Sequence, residues 1–332
     1  MESSLQKRIL MALIAVLLTI PAIFSGMVNL SEAAPYPEHD ITFVVPFKPG
    51  GGLDTQARIL APFIKKYLPK QVNIVVENHS AAGGKVGALK VFDAKPDGYT
   101  IGILSPNSIG LLYIRGDLEK RNPADLIYLC RTGHAPYMLV LSARSRFKNI
   151  HEMKGERVRF GGTTAVVFQA ALIEKQLDTK MTFITYDGFP ETAMAAMRGD
   201  VDVFFFNWDS GIKHVNASEG KLIPMFIAAA TRVPEMPNLP TAKELGLTVE
   251  RDVMGVMAAG NMVLAPPGLP VEVRNTLEKV VQTAINDPEL ENRMQQANYT
   301  MKPTLTPKET KEAALGIYAT YLKHKELIEA VK

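Results

Sequence analysis

The sequence lacks the cysteines that a disulfide would require. Its 332 residues contain one cysteine, Cys130, so no intrachain disulfide is possible. Cys130 ends the largely apolar run Ile127–Cys130, and this position predicts a buried structural thiol rather than a reactive one. The N-terminal segment described below predicts export and cleavage after Ala33, and no cysteine near that position could carry a lipid. An exported chain without disulfides and without a lipid suits a Gram-negative periplasm.

The sequence also lacks a strong excess of charge of either sign. It carries 37 Lys and Arg against 34 Asp and Glu, a net charge of +3, and it has no basic run interleaved with aromatics, so no nucleic-acid partner is predicted. No repeat with a period of 20–50 residues is present. The 47% hydrophobic and 21% charged content is ordinary for a globular protein, and the length favours two domains.

Motifs that carry common enzyme chemistry are incomplete. His79 and Val86 stand where a phosphate-binding Walker loop requires Gly and Ser or Thr, and Thr55 occupies the last glycine position of a dinucleotide fingerprint. A zincin-like His-Glu pair fails because Gly155 replaces the second histidine. No G-x-S-x-G elbow is present and the six histidines are scattered. We therefore expect no catalytic residues, no cofactor and no metal site.

Long hydrophobic runs are confined to the first part of the chain. The run Ile9–Phe24 follows Lys7 and Arg8, and small residues end the segment at Ser31-Glu32-Ala33. This layout predicts a signal peptide over residues 1–33, cleaved after Ala33, and hence export. The alternative is a retained membrane anchor, because the run is only slightly short of a span.

Short apolar strands and helical segments alternate from Ile41 to Phe206. This alternation predicts an α/β fold with largely parallel, buried strands. In the first helix, predicted over Thr55–Leu68, Pro62 predicts a kink or a late start. Two further helices follow at the C-terminal end, the second introduced by a Thr306 capping box.

The segment Val44–Arg58 reads VVPFKPGGGLDTQAR, an apolar strand, a glycine turn and the start of a helix. Glycines let backbone N–H groups approach a ligand closely, and the helix start adds unpaired N–H donors and a partial positive charge. This arrangement favours an anion. Lys48 either attracts that anion or is a solvated surface residue, and Asp54 caps the helix, holds a water, or does both.

Two later turns have similar small residues, at Gly161–Thr164 and Tyr186–Pro190. Ligands of open α/β sheets bind beyond the carboxyl ends of strands, so we expect the first of these turns to face Gly50–Asp54 across two lobes. Thr163 and Thr164 either donate hydroxyl hydrogen bonds to the ligand or cap the next helix. Hydrogen bonds to a charged group contribute about 1.5–3 kcal/mol each, so four or five donors suffice for micromolar binding, which needs about −8 kcal/mol.

Several motifs, in order along the chain, match one family. They are Tyr36-Pro37, Val44–Asp54, Val75-Val76-Glu77-Asn78, Ala82-Gly83-Gly84, Pro96-Asp97-Gly98-Tyr99-Thr100, Gly199-Asp200-Val201-Asp202, Gly220-Lys221-Leu222, Leu239-Pro240-Thr241 and Ala265-Pro266-Pro267-Gly268. Through them the chain resembles the substrate-binding proteins of tripartite tricarboxylate transporters, the Bug-type receptors.

The resemblance implies a type II periplasmic-binding-protein fold, in which two α/β lobes joined by two hinge strands close on a ligand. Lobe 1 would comprise residues 34–136 and 257–332, and lobe 2 residues 137–256. The expected protein is a periplasmic monomer that captures a small organic carboxylate for a transporter with one small and one large membrane subunit. The alternatives are a receptor that reports to a membrane sensor kinase and an enzyme on the same fold.

In this family the glycine loop and a facing loop of the second lobe hold a carboxylate through backbone amides and ordered waters. By position, Asp54 and Asn107 would organise those waters. The ligand-binding residues expected on this basis are Phe47, Lys48, Gly50, Gly51, Gly52, Asp54, Ser105, Asn107, Gly162, Thr163, Thr164, Gly188, Phe189, Pro190 and Asn207.

Overall fold

A computed structural model describes residues 36–247 and 251–329. The expected signal peptide, residues 1–33, lies outside the described residues and stays a prediction. Within the described part of the chain, no helix is both long enough and apolar enough to span a bilayer. Residues 39–332 form one compact unit, built on two five-stranded sheets.

The first sheet is formed by four early strands and one late strand. Its spatial order is β2-β1-β3-β10-β4, and β1 pairs in parallel with β2 and β3, whereas β10 is antiparallel to β3 and β4. The strands are β1 Ile41–Val45, β2 Ile74–Asn78, β3 Thr100–Leu104, β4 Ile127–Thr132 and β10 Asn261–Ala265.

The second sheet is formed by the strands between β4 and β10, in the order β7-β6-β8-β5-β9. Here β6 is parallel to β7 and β8, and β5 is antiparallel to β8 and β9. The strands are β5 Tyr137–Ser142, β6 Arg157–Gly162, β7 Lys180–Thr185, β8 Val203–Asn207 and β9 Leu222–Ile227.

The helices cover the sheets and extend the C-terminal end. They are α1 Gly52–Tyr67, α2 Lys85–Phe92, α3 Pro106–Ile114, α4 Val167–Leu177, α5 Phe189–Arg198, α6 Trp208–Ala217, α7 Arg251–Met257, α8 Val271–Ile285, α9 Pro288–Gln296, α10 Pro307–Lys323 and α11 Lys325–Glu329. Short 3₁₀ turns at Ala82–Gly84 and Thr164–Val166 precede α2 and α4.

The α/β architecture is confirmed, and so is the expectation of largely parallel strands, because four of the five strands in each sheet run in the same direction. In each sheet the antiparallel strand, β10 or β5, is the one that enters from the other sheet, between Thr132 and Tyr137 or between Ile227 and Asn261. Parallel neighbouring strands need a long crossover connection, usually a helix. This requirement does not apply to β10 and β5, because each is antiparallel to both of its neighbours. The two crossings correspond to the expected hinge strands, and the lobe boundaries at 136/137 and 256/257 stay a prediction.

The first helix buries one apolar face. Ala57, Leu60 and Ile64 recur at helical spacing and are fully buried, which fixes the helix on the sheet through hydrophobic burial. Pro62 lies inside α1, and the helix continues through it to Tyr67. Cys130 is fully buried, as expected, and burial raises the pKa of its thiol to about 12.

Candidate functional site

A cavity of about 110 Å³ lies where the loops after β1 and β6 approach each other. Most of the site residues expected from the sequence line it. They are Phe47, Gly50, Gly51, Gly52, Ser105, Gly162, Thr163, Gly188, Phe189 and Asn207. The structure therefore brings together turns that are more than a hundred residues apart in the sequence.

The glycine turn presents unused backbone donors to this cavity. Gly51 is the N-cap of α1, and Gly51, Gly52 and Leu53 all line the cavity. Their N–H groups make no hydrogen bond to any other residue of the described chain. Such amides at a helix start need a partner from outside the helix, and the positive end of the helix dipole favours an anionic one.

The Gly50 amide is already occupied. Its N–H donates to Asp54 Oδ2 at 2.9 Å, and Asp54 also accepts from Arg58 at 3.0 Å and from Asn78 at 3.0 Å. Asp54 is not the N-cap but the third residue of α1. Its side chain does not line the cavity, because it reaches back behind the loop and fixes the loop's shape.

Hydrogen bonding keeps Asp54 ionised in this position. Burial of the carboxylate opposes its charge, but hydrogen bonds from Arg58, Gly50 and Asn78 outweigh burial and lower the pKa of Asp54. The negative charge is thus neutralised behind the loop and is not directed at the cavity.

The two threonines of the facing loop, Thr163 and Thr164, make different contacts. Thr163 lines the cavity, and its Oγ1 accepts from the Ala165 N–H at 3.3 Å. The Thr164 hydroxyl is directed away from the cavity, donates to the carbonyl of Gly83 and lies 3.0 Å from Ser108 Oγ. Thr164, from the loop after β6, therefore connects that loop with the turn before α2 and with α3.

Lys48 is also taken up by protein contacts. Its Nζ lies 2.6 Å from Glu191 Oε1 and 3.5 Å from Asp187 Oδ2, both in the turn after β7 and the start of α5. The side chain is half exposed and does not line the cavity. Lys48 thus forms ion pairs between the two halves of the protein, and its expected contact with a ligand stays a prediction.

Two other expected residues lie behind the cavity wall. Asn107 is fully buried in α3 and its Nδ2 donates to the Val256 carbonyl at 2.9 Å, so it is held by the protein instead of facing the cavity. Pro190 is the second residue of α5, one position beyond Phe189, which does line the cavity.

Sequence reasoning missed more than half of the lining. The additional residues are Leu53, Thr55, Gln56, Tyr137, Ala165, Val166, Thr192, Phe205, Phe206, Ser210, Lys213, His214, Asn261 and Tyr299. Thr55 and Gln56 could have been found, because they follow the glycine turn within one helical turn. Phe205 and Phe206 belong to β8, and both rings line the cavity.

The cavity is electropositive. Among the described residues that line it there is no aspartate or glutamate, and Lys213 is the one fully charged side chain. Burial, aided by Lys213, lowers the pKa of His214, and burial raises the pKa of Tyr299 to about 12. Both side chains are therefore neutral at pH 7 and offer hydrogen bonds without charge.

Within the described ranges, no group of three or more His, Cys, Asp or Glu residues could hold a metal ion. Ser210, which lies beside His214 in the lining, donates to the Asn207 carbonyl at 3.2 Å. The arrangement can bind an anion through peptide N–H groups, a lysine and hydroxyls.

The fold and the sequence both have known counterparts. A protein from Agrobacterium vitis, encoded in the TAR-I ttuE-ttuC' intergenic region, is 29% identical over 283 residues, 76% of this chain and 73% of that protein. The structure of periplasmic binding protein BugD superposes with a TM-score of 0.74 at 22% identity, over 88% of this chain and 98% of that one.

Two further similar structures come from Rhodopseudomonas palustris. MatC with bound malate gives a TM-score of 0.70 at 23% identity, over 90% of this chain and 100% of that one. A second protein, with adipate, gives 0.74 at 21% identity, over 89% and 98%. At these identities the structures establish the fold, that of the periplasmic binding proteins.

The sequence model of the tripartite tricarboxylate transporter family receptors matches residues 56–331. The match begins just after the glycine turn and covers most of the chain. The members of this family are transporter receptors and not enzymes. The chain therefore belongs to the tripartite tricarboxylate transporter receptor family.

Proposed function

We propose that this protein is a periplasmic receptor that captures a small organic carboxylate and delivers it to a tripartite membrane transporter. The observation that carries the proposal is the row of unpaired N–H groups at Gly51, Gly52 and Leu53, which open into a cavity lined by no described acidic residue. A carboxylate supplies the acceptors that these donors lack.

The geometry supplies enough binding free energy. Three charge-assisted hydrogen bonds at about 1.5–3 kcal/mol each give roughly 5–9 kcal/mol, and the start of α1 adds about 0.3–2 kcal/mol. The Thr163 hydroxyl and the amides beside Gly162 supply further donors from the facing loop. Micromolar affinity requires about −8 kcal/mol, so the α1 donors fall short once the loss of ligand freedom is offset, and the donors of the facing loop are needed as well.

The relatives support the same ligand class, because the similar structures hold malate and adipate. In the proposed cycle, residues 34–136 with 257–332 and residues 137–256 act as lobes that close on the ligand. The Thr164 hydroxyl bond to Gly83 and the Lys48 ion pairs then stabilise the closed form. A small and a large integral-membrane subunit would receive the ligand, and cleavage of residues 1–33 would release the receptor into the periplasm.

The test is a titration of the purified protein, without its signal peptide, against a panel of mono-, di- and tricarboxylates by calorimetry. Neutral sugars and free metal cations serve as controls. We expect at least one carboxylate to bind with micromolar affinity or better and to be recovered unchanged. Tight binding confined to sugars or cations would reject the proposal, and so would conversion of the bound carboxylate to a product.

A further inference from the structure

One basic side chain lies at the end of the cavity formed by α6. Lys213 belongs to the second turn of that helix and lines the cavity beside Ser210 and His214. Its side chain is exposed, and none of the ion pairs found among residues 36–247 and 251–329 includes it. It therefore remains available to a charged group of the ligand.

The donors that hold the first carboxylate lie elsewhere. Gly51, Gly52 and Leu53 begin α1, which packs on the first sheet, whereas α6 follows β8 of the second sheet. A ligand with one anionic group would be held by the α1 amides and the facing loop and would leave Lys213 without a charged partner. A ligand with two could reach both the α1 amides and Lys213 and would tie the two sheets together.

Aromatic rings form much of the wall of the same cavity. Phe47, Tyr137, Phe189, Phe205, Phe206 and Tyr299 all line the cavity. Phe189 is packed on Phe206 with their centroids 4.4 Å apart, and on His214 at 4.9 Å. Packed rings present rigid, apolar faces, so the part of the ligand that contacts them is expected to be apolar.

We propose that Lys213 is a specificity-determining residue that binds a second anionic group. The preferred ligand is then a dicarboxylate whose two carboxylates are separated by an apolar spacer, aliphatic or aromatic. This inference rests on the proposed function, because the first carboxylate is held at the start of α1. The absence of acidic residues from the described lining means that no protein carboxylate competes for Lys213.

Calorimetric titration with matched ligand pairs tests the inference. Adipate is compared with hexanoate, and benzene-1,4-dicarboxylate with 4-methylbenzoate, because each pair shares its length and differs in the second carboxylate. The variants are Lys213→Met, which keeps the length of the side chain without its charge, and the control Lys175→Met. Lys175 is an exposed lysine on helix α4 outside the cavity.

In the unaltered protein the better dicarboxylate should bind at least tenfold more tightly than its monocarboxylate partner. Lys213→Met should weaken the dicarboxylate about tenfold, the lower end of the range for a charge-assisted hydrogen bond, and change the monocarboxylate less than twofold. Lys175→Met should change neither.

Three results would overturn the inference. They are equal binding of both members of each pair, equal losses for both in Lys213→Met, and no loss for either. All three leave the proposed function standing, provided that a carboxylate binds. If no carboxylate of the wider panel binds to the unaltered protein, the proposed function itself fails and the inference fails with it.

Discussion

Replacing Gly52 by proline removes one N–H donor of the site and leaves the helix intact. Gly52 is the first residue of α1, where proline is well tolerated because the missing N–H has no helical partner. The preceding Gly51 has φ −79° and ψ 173°, an extended conformation that a following proline favours. A side chain also fits, since an added Cβ would lie 3.7 Å from the Tyr299 hydroxyl.

The expected cost follows from the single hydrogen bond that is lost. A bond from a peptide N–H to a carboxylate contributes about 1.5–3 kcal/mol, which corresponds to a loss of affinity of about 10- to 150-fold. The proline ring also occupies the space of the lost hydrogen, so the loss should lie in the upper part of this range. Folding stability should not decrease, because the substitution restricts the unfolded chain at a compatible position.

Gly52→Ala is the matched control. It adds the same Cβ beside Tyr299 but keeps the N–H, so its affinity should stay within about threefold of the unaltered protein. Calorimetry with one carboxylate measures both affinities, and thermal unfolding without ligand verifies that both variants fold. If Gly52→Pro binds the carboxylate as tightly as Gly52→Ala, the peptide N–H groups at the start of α1 do not hold the ligand.

Three further expectations follow from the contacts around the cavity. Thr164→Val keeps the shape of the side chain but removes its hydrogen bond to the Gly83 carbonyl. Affinity for the carboxylate, measured by calorimetry, should therefore fall about two- to tenfold. The control Thr182→Val, at an exposed threonine, should have no effect. Lys48→Met removes an exposed ion pair with Glu191 and should lower affinity only slightly at low salt and not at all at high salt, because exposed pairs are screened; a large, salt-independent loss would instead place Lys48 on the ligand. Burial raises the pKa of Asp209 from 3.8, its unfolded value, to about 6 in the folded protein. The contribution of this carboxyl group to the free energy of unfolding is therefore complete below about pH 4. It falls by about 3 kcal/mol as the pH rises to about 6. Thermal melts should therefore show Asp209→Asn gaining stability relative to the unaltered protein across that interval, and a difference that does not change with pH would contradict this assignment.

The part of the site that could be predicted from the sequence is the part encoded locally. The glycine turn before α1 and the turn after β6 are short segments whose donors follow from glycine content and helix starts. The alternating strands and helices likewise fixed the α/β class. These features depend on neighbours within a few residues, which one sequence displays directly.

The remaining residues depend on contacts made after folding. Tyr299 and Asn261 come from the C-terminal half of the chain and reach the cavity only because β10 inserts between β3 and β4. Lys213 gives no local signal that separates it from any other helical lysine. The ion pair of Lys48 could not be predicted either, because its partner Glu191, at 2.6 Å in the structure, lies 143 residues away in the sequence.

The same distinction accounts for Asp54 and Asn107. Both are polar residues beside a predicted anion site, and sequence reasoning assigned them to waters around the ligand. In the folded protein Asp54 satisfies the Gly50 amide and Asn107 satisfies the Val256 carbonyl. A buried backbone group without a partner is costly, and these two bonds are contacts that one sequence does not display.

The donors at Gly51, Gly52 and Leu53 belong to the main chain, and most point mutations leave a peptide bond unchanged. Descendants of this protein could therefore exchange the surrounding side chains freely and still grip a carboxylate at the same spot. In such a lineage, ligand specificity would change through substitutions of the other side chains that line the cavity. The main-chain donors that bind the carboxylate would stay the same.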